Sequence, residues 1–174
     1  MLKLATLELE CWQFLEQSKG QRLYKNLPKS YDGFKKVKVR KKNVNELFID
    51  AFNQSFSDHR NLFQRAIFAN GAKSFSAECD DREPFVIFPI NGFKFIYNPV
   101  VIDAFAQYKS DVEYLLQKVS KQAAIDMFSK VIRQSYVHNN LAEGIQTGAE
   151  IVLYNVPHYY AIRKSLLDDF ERIR

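Results

Sequence analysis

The sequence predicts an α+β fold with a mainly antiparallel sheet and N-terminal and central helices. Three observations carry that expectation. Lys36 to Arg40 alternates charged and apolar residues with the period of a half-buried strand. Two later stretches place apolar residues at helical spacing. Strand-like and helix-like segments do not alternate regularly, so the βαβ repeat of a parallel sheet is missing.

In chain order, Met1 to Gln17 reads as one amphipathic helix with Leu4, Leu7, Trp12 and Leu15 among its apolar positions, closed by Lys19-Gly20. Gln21 to Gly33 holds Pro28 and Asp32-Gly33 and reads as a connecting loop. Lys36-Val37-Lys38-Val39-Arg40 is a strand with Val37 and Val39 inward. Asn43 offers an N-cap, with Glu46 three residues later, to a helix carrying Val44, Leu47, Phe48, Ala51, Phe52 and Phe56 on one stripe. Ala66 to Ala69 is a short strand that Asn70-Gly71 ends with a turn.

Phe85-Val86-Ile87-Phe88 is apolar on both faces and therefore reads as a central strand. Asn91-Gly92 fits a turn into Phe93 to Tyr97, which makes the pair a β-hairpin, and Asn98-Pro99 stops it. Ser110 and Glu113 form a capping box for the longest helix. Its stripe runs through Val112, Leu115, Leu116, Val119, Ala123, Met127 and Val131. Asn139 to Gly148 reads as a mobile loop. Ile151 to Tyr154 and Tyr159 to Ile162 read as strands around a bend at Pro157, and Ser165 caps a final charged helix.

No repeat, low-complexity tract or linker interrupts the 174 residues. The expectation is one domain over 1–174, with an N-terminal helix and connecting loop in 1–33 and an α+β core in 34–174. Aromatic residues at 14% exclude a disordered chain. Cys11 and Cys79 are isolated thiols, which provide neither a disulfide framework nor a zinc site and suit a reducing cytoplasm. No apolar run is long enough to cross a bilayer, and Glu8, Glu10 and Glu16 argue against a signal peptide.

The chemistry-bearing motifs with phosphate-loop, dinucleotide, zinc-protease, EF-hand or nucleophile-elbow spacing are all missing. His59, His138 and His158 are scattered, so no metal site is expected. The net charge is +5 and is concentrated in Lys35, Lys36, Lys38, Arg40, Lys41 and Lys42. Such a run attracts phosphates, and Tyr24, Tyr31 and Phe34 lie close enough in sequence to stack on bases. A solvated, charged strand explains the same run equally well. Gly148-Ala149-Glu150 delivers a glutamate onto the first residue of an apolar strand, where a rigid strand would hold it at a cleft edge.

Gly148 to Tyr154 followed by Tyr159-Tyr160-Ala161-Ile162 resembles the catalytic-glutamate strand of the ADP-ribosyltransferase superfamily. The upstream segments resemble a family of small tailed-bacteriophage proteins associated with the same fold. They are Arg60-Asn61-Leu62-Phe63, Ile67 to Gly71, Phe88 to Phe95, Tyr97-Asn98-Pro99 and Val101-Ile102-Asp103. The resemblance implies an ADP-ribosyltransferase-like fold that binds NAD in a cleft between two small sheets and transfers ADP-ribose to a host macromolecule.

By the same resemblance Arg40 holds a phosphate or ribose, and Ile67 to Gly71 shapes the nicotinamide pocket. Ala69 and Asn70 stand there where hydroxyl residues are expected, with Ser74 and Ser76 nearby. Glu150 stabilises positive charge as the glycosidic bond opens. Gly148 occupies a position where arginine-modifying members carry Gln or Glu. The alternative is a non-catalytic phage protein that binds a host defence protein or nucleic acid through Lys35, Lys36, Lys38, Lys41 and Lys42. A virion component without a ligand is a third possibility.

Overall fold

The structure is a computed structural model that describes residues 2–41, 46–56, 62–72 and 81–167. Its helices are α1 (Leu2–Glu10), α2 (Trp12–Ser18), α3 (Glu46–Ser55), α4 (Ala104–Lys118), α5 (Lys121–Ser135) and α6 (Leu141–Thr147). Its strands are β1 (Leu23–Pro28), β2 (Phe34–Lys38), β3 (Ile67–Gly71), β4 (Arg82–Pro89), β5 (Lys94–Tyr97), β6 (Glu150–Tyr154) and β7 (His158–Arg163). They form an α+β fold around a seven-stranded sheet in the order β2-β7-β4-β1-β3-β6-β5, with every neighbouring pair antiparallel.

The sheet is unevenly stitched. β1 and β3 share only the pairs Leu23↔Gly71 and Tyr24↔Asn70. Every other junction carries four or five such pairs. Beyond Tyr24 and Asn70 the ladder stops. The sheet is therefore a four-stranded half, β2-β7-β4-β1, and a three-stranded half, β3-β6-β5, joined at a fork.

Both faces are covered, because the central strands are apolar on both sides. Phe68, Ile96, Val152 and Tyr154 face a layer made by α3, α4 and α5. Phe63 sits at its centre, stacked on Tyr154 at 4.6 Å and on Phe52 at 5.3 Å. Ala69, Ile151, Leu153 and Tyr97 join a second core with Leu141 and Ile145 of α6. Gly144 lets α6 approach, since a Cβ there would lie 2.8 Å from the Tyr97 ring.

Several expectations hold: Val37 and Val39 are buried on β2 and its extension, α3 forms, and β4 is central between β7 and β1. Asn43 and Val44 lie outside the described residues. Other expectations are corrected by tertiary partners. Gln21 to Gly33 is not all loop, because Leu23–Pro28 is β1, a strand bonded on both sides. Pro28 is tolerated at its last position, and Lys25-Asn26 disguises its alternation. Asn70 and Gly71 belong to β3 rather than to a turn after it.

Phe85–Phe88 and Phe93–Tyr97 do not form a hairpin, since the ladder of β5 is with β6 at the far edge, and its Tyr97 bridges to Val137 on the other side. The Asn91-Gly92 turn exists, with Gly92 at φ 90°, but it clamps the N-terminal helices instead. Asn91 N donates to Glu10 O (2.8 Å), Asn91 Oδ1 accepts from Gln13 N (3.0 Å), and Gly92 N donates to Gln13 Oε1 (2.7 Å).

The long central helix is two helices. Asp103 caps α4 by accepting from Ala106 N at 2.9 Å, and Ser120 caps α5 by accepting from Ala123 N at 3.3 Å. Ser110 lies inside α4. The break resets the helical phase, so Leu116, Val119, Met127 and Val131 are exposed while Ala124, Ile125, Phe128 and Ile132 are buried. Asn139 to Gly148 is likewise not a loop throughout: Asn140 caps α6 through Glu143 N (3.2 Å), and Gly148 ends it at φ 83°.

The N-terminal helix is broken at Cys11. Its buried face is Leu7, Cys11, Phe14 and Ser18, leaving Trp12 and Leu15 exposed. Burial pushes the Cys11 thiol up to about 12, so it stays protonated. Ser165 lies within the helical residues 164–167 rather than at their start.

Candidate functional site

Three residues stand in one row across the fork: Tyr24 on β1, Asn70 on β3 and Glu150 on β6, each in register with the next. Directly paired residues project from the same face of a sheet. Asn70 Nδ2 donates to Ile102 O at 2.8 Å, and Glu150 N donates to Val101 O at 2.8 Å. Glu150 Oε2 accepts from Ala104 N at 3.1 Å. Ala104 opens α4, so Glu150 satisfies an N–H that has no partner within its own helix, at the positive end of the helix dipole. The carboxylate is thus half-buried and held from both its backbone and its side chain.

Lys25 bridges the fork. Where β1 and β3 part, its Nζ donates to Phe68 O at 3.1 Å, replacing a ladder bond that β1 no longer supplies. The residue as a whole is half-buried while its ammonium is enclosed. Burial pushes the amine below its ordinary value; the Glu150 charge opposes that and the Arg82 charge adds to it.

Between the lowered folded value and the ordinary value of 10.5, the unfolded chain binds more protons, so stability rises with pH across that window. Lys25→Met should lack this rise. Urea midpoints of the two proteins, compared between about pH 8 and about pH 10, should diverge in favour of the wild type as pH increases. Parallel midpoints would mean that the amine is not held in a desolvated site.

A cleft of about 570 Å³ opens beside the same fork, lined by Gly20, Gln21, Arg22, Tyr24, Ala72, Ile145 and Gln146. Gly20, at φ 79°, adds no side chain to its mouth. The size falls in the ~300–1,000 Å³ range of small-molecule sites.

The residues singled out from sequence are brought together only in part. Asn70 and Glu150 are neighbours. Arg40 is exposed beyond the end of β2, the opposite edge strand. Five inter-strand steps separate β2 from β6, about 24 Å along the sheet. Ser74, Ser76 and Lys42 lie outside the described residues. Arg22 and Lys25 were missed because the expected loop hid β1. Their signal was the Arg22-Leu23-Tyr24-Lys25 segment, in which two apolar residues sit between two cations.

The basic run splits by environment. Lys36 Nζ lies 2.6 Å from Glu10 Oε2, which also accepts from the Tyr160 hydroxyl at 3.0 Å. The Lys36 hydrogen bond holds the Glu10 carboxyl below its usual range, and Glu10 holds the Lys36 amine above its own. Lys35 sits 4.1 Å above the Tyr31 ring. Lys38, Arg40 and Lys41 are exposed. Of the aromatics expected to stack on bases, Tyr24 is buried and Phe34 packs on Tyr160 at 5.4 Å.

Among the described residues no cluster of His, Cys, Asp or Glu is placed to hold a metal ion, and no helix is long and apolar enough to cross a membrane. Against protein-family models, curated proteins and solved structures, the chain finds no match.

Proposed function

We propose that the chain is an ADP-ribosyltransferase-like bacteriophage protein that binds NAD at the fork and transfers ADP-ribose to a host macromolecule. The observation that supports this most is the placement of Glu150. A fixed carboxylate begins β6 in register with Asn70 and Tyr24, and Tyr24 also lines the cleft of about 570 Å³.

Each residue has a task in that chemistry. NAD supplies a glycosidic bond whose opening builds positive charge on the ribose. Glu150 presents a negative charge that needs no reorganisation as the positive charge develops. Its hydrogen bond from Ala104 N fixes the direction of the carboxylate. Arg22 lines the cleft and takes the phosphate-holding role assigned to Arg40 from sequence, because a guanidinium fork can grip two phosphate oxygens at once. Tyr24 forms part of the same wall.

Calorimetric titration with NAD tests this directly. Arg22→Ala should weaken binding about 10- to 100-fold, the worth of a charge-assisted contact to phosphate, and Arg40→Ala should leave it unchanged. The absence of heat at millimolar NAD would rule out the nucleotide site. The reverse pattern, with Arg40 required and Arg22 dispensable, would move the ligand to the β2 edge.

A further inference from the structure

The two edges of the sheet are finished differently. At the β5 edge, Tyr97 N donates to Val137 O at 3.0 Å and Val137 N donates back to Tyr97 O at 2.8 Å, which closes part of that strand. The β2 edge has no such cover among the described residues. At its two ends, Arg163 N donates to Gly33 O at 2.8 Å and Val39 N donates to Pro157 O at 2.9 Å. The register between those points puts the odd-numbered residues of β2 in the bonded pairs with β7. Lys36 and Lys38 therefore turn their backbone N–H and C=O groups outward, and no described residue bonds them.

An edge of this kind can take up one more strand, and the side chains decide which. Lys36, Lys38 and Arg40 alternate along one face of β2 and its extension, neighbours standing about 7 Å apart. Glu10 neutralises Lys36 at 2.6 Å. Lys38 and Arg40 are exposed, and among the described residues neither meets an acidic side chain. A second copy of β2, paired with its valines toward the same side, would set cation against cation. Like charges directly opposite destabilise a sheet, and opposite charges stabilise it. A strand with carboxylates at those positions is accepted where a second copy is refused. Its intervening residues fall on the side where Val37 and Val39 are buried, and there the fitting side chain is apolar.

We infer that the outer edge of β2 is a docking site for an extended acidic segment of a partner protein. The segment adds as an antiparallel strand, with carboxylates opposite Lys38 and Arg40 and an apolar residue between them. Antiparallel addition continues the pattern of the sheet and is the slightly more stable pairing. Backbone hydrogen bonds supply the affinity, and the two cations select the sequence. This edge is separate from the cleft at the fork and does not depend on NAD binding there.

A suitable probe is a fluorescein-labelled peptide of about seven residues, Glu and Val in strict alternation, the length of an ordinary strand. Its anisotropy should rise to saturation as the full chain is added. A peptide of the same composition with Glu and Val in separate blocks should bind about tenfold or more weakly. N-methylation of the glutamates removes the N–H groups that face β2, keeps every charge, and should abolish binding. N-methylation of the valines, whose N–H groups face solvent, should not. Lys38→Glu/Arg40→Glu should also bind about tenfold or more weakly, and should instead accept the peptide with Lys in place of Glu. Both side chains are exposed, so the circular dichroism of this variant should match the wild type.

No rise in anisotropy up to about 1 mM protein overturns the inference. Equal binding of the block peptide, or of the peptide N-methylated at its glutamates, would reduce the contact to net charge and overturn it as well. Full affinity in Lys38→Glu/Arg40→Glu would place the peptide elsewhere, with the same consequence. Binding of oligothymidylate without binding of the peptide would make the strip a nucleic-acid contact and end the assignment of a protein partner.

Discussion

Glu150→Gln should leave the protein folded and able to bind NAD while lowering ADP-ribose transfer by about a hundred- to a thousandfold. The substitution separates the two things this side chain does. A glutamine carbonyl still accepts from Ala104 N, so the first turn of α4 keeps its partner. The lost attraction between a carboxylate and the helix dipole costs only about 0.3–1 kcal/mol. Under the proposed reading, the charge that would face the opening glycosidic bond is lost entirely. Circular dichroism and calorimetric NAD affinity should be close to wild type, with the deficit confined to turnover. Glu150→Ala is the less informative variant, because it also strips Ala104 N of its acceptor. Full turnover in Glu150→Gln would reduce Glu150 to a helix anchor and end its catalytic assignment.

Gly71→Ala is expected to be the most damaging single methyl addition in the described structure. A Cβ at Gly71 would lie 2.2 Å from Ile145 O and 2.9 Å from Ile145 Cγ2. The obstacle is a backbone carbonyl, which cannot rotate away like the end of a side chain. That carbonyl also accepts from Gly148 N at 3.3 Å to close α6. Relief would require moving α6, which Gly144 holds tightly against Tyr97, or parting β1 from β3 at one of their two shared pairs. The cost should be about 2–3 kcal/mol or more, in the upper range of overpacking, read as a lower urea midpoint at constant slope. NAD affinity should fall as well, because Ile145 and Gln146 line the cleft. An unchanged midpoint would show that α6 yields easily and that the wall of the cleft is soft.

Much of the local structure was legible in the residues. The apolar block Phe85–Phe88 can only be a strand covered on both faces, and β4 lies between two neighbours. The strict alternation of Lys36 to Arg40 marks a strand with one wet face, and Val37 and Val39 are the buried pair. α3 follows its stripe of Leu47, Phe48, Ala51 and Phe52, all buried. Glu150 stands at the start of a strand, as its place before Ile151-Val152-Leu153 predicts.

Other features were decided by partners distant in sequence. β1 looks like a loop because Lys25 and Pro28 interrupt it, yet β4 and β3 hold it from both sides. Gly144 argues against a helix until Tyr97 is placed beneath it. Asn91-Gly92 makes a turn, but its free hydrogen-bonding groups go to the N-terminal helices, which sends β5 to the far edge. The site shows the same division. Glu150 could be picked out by its strand, while Lys25 comes within range of that glutamate's charge, and Arg22 reaches the cleft, only when β1 joins the sheet, and Arg40 is carried to the opposite edge. Hydrophobic period is a property of adjacent residues and is therefore written in the chain. Which strands pair, and which charges meet across them, depends on long-range packing that no short segment contains.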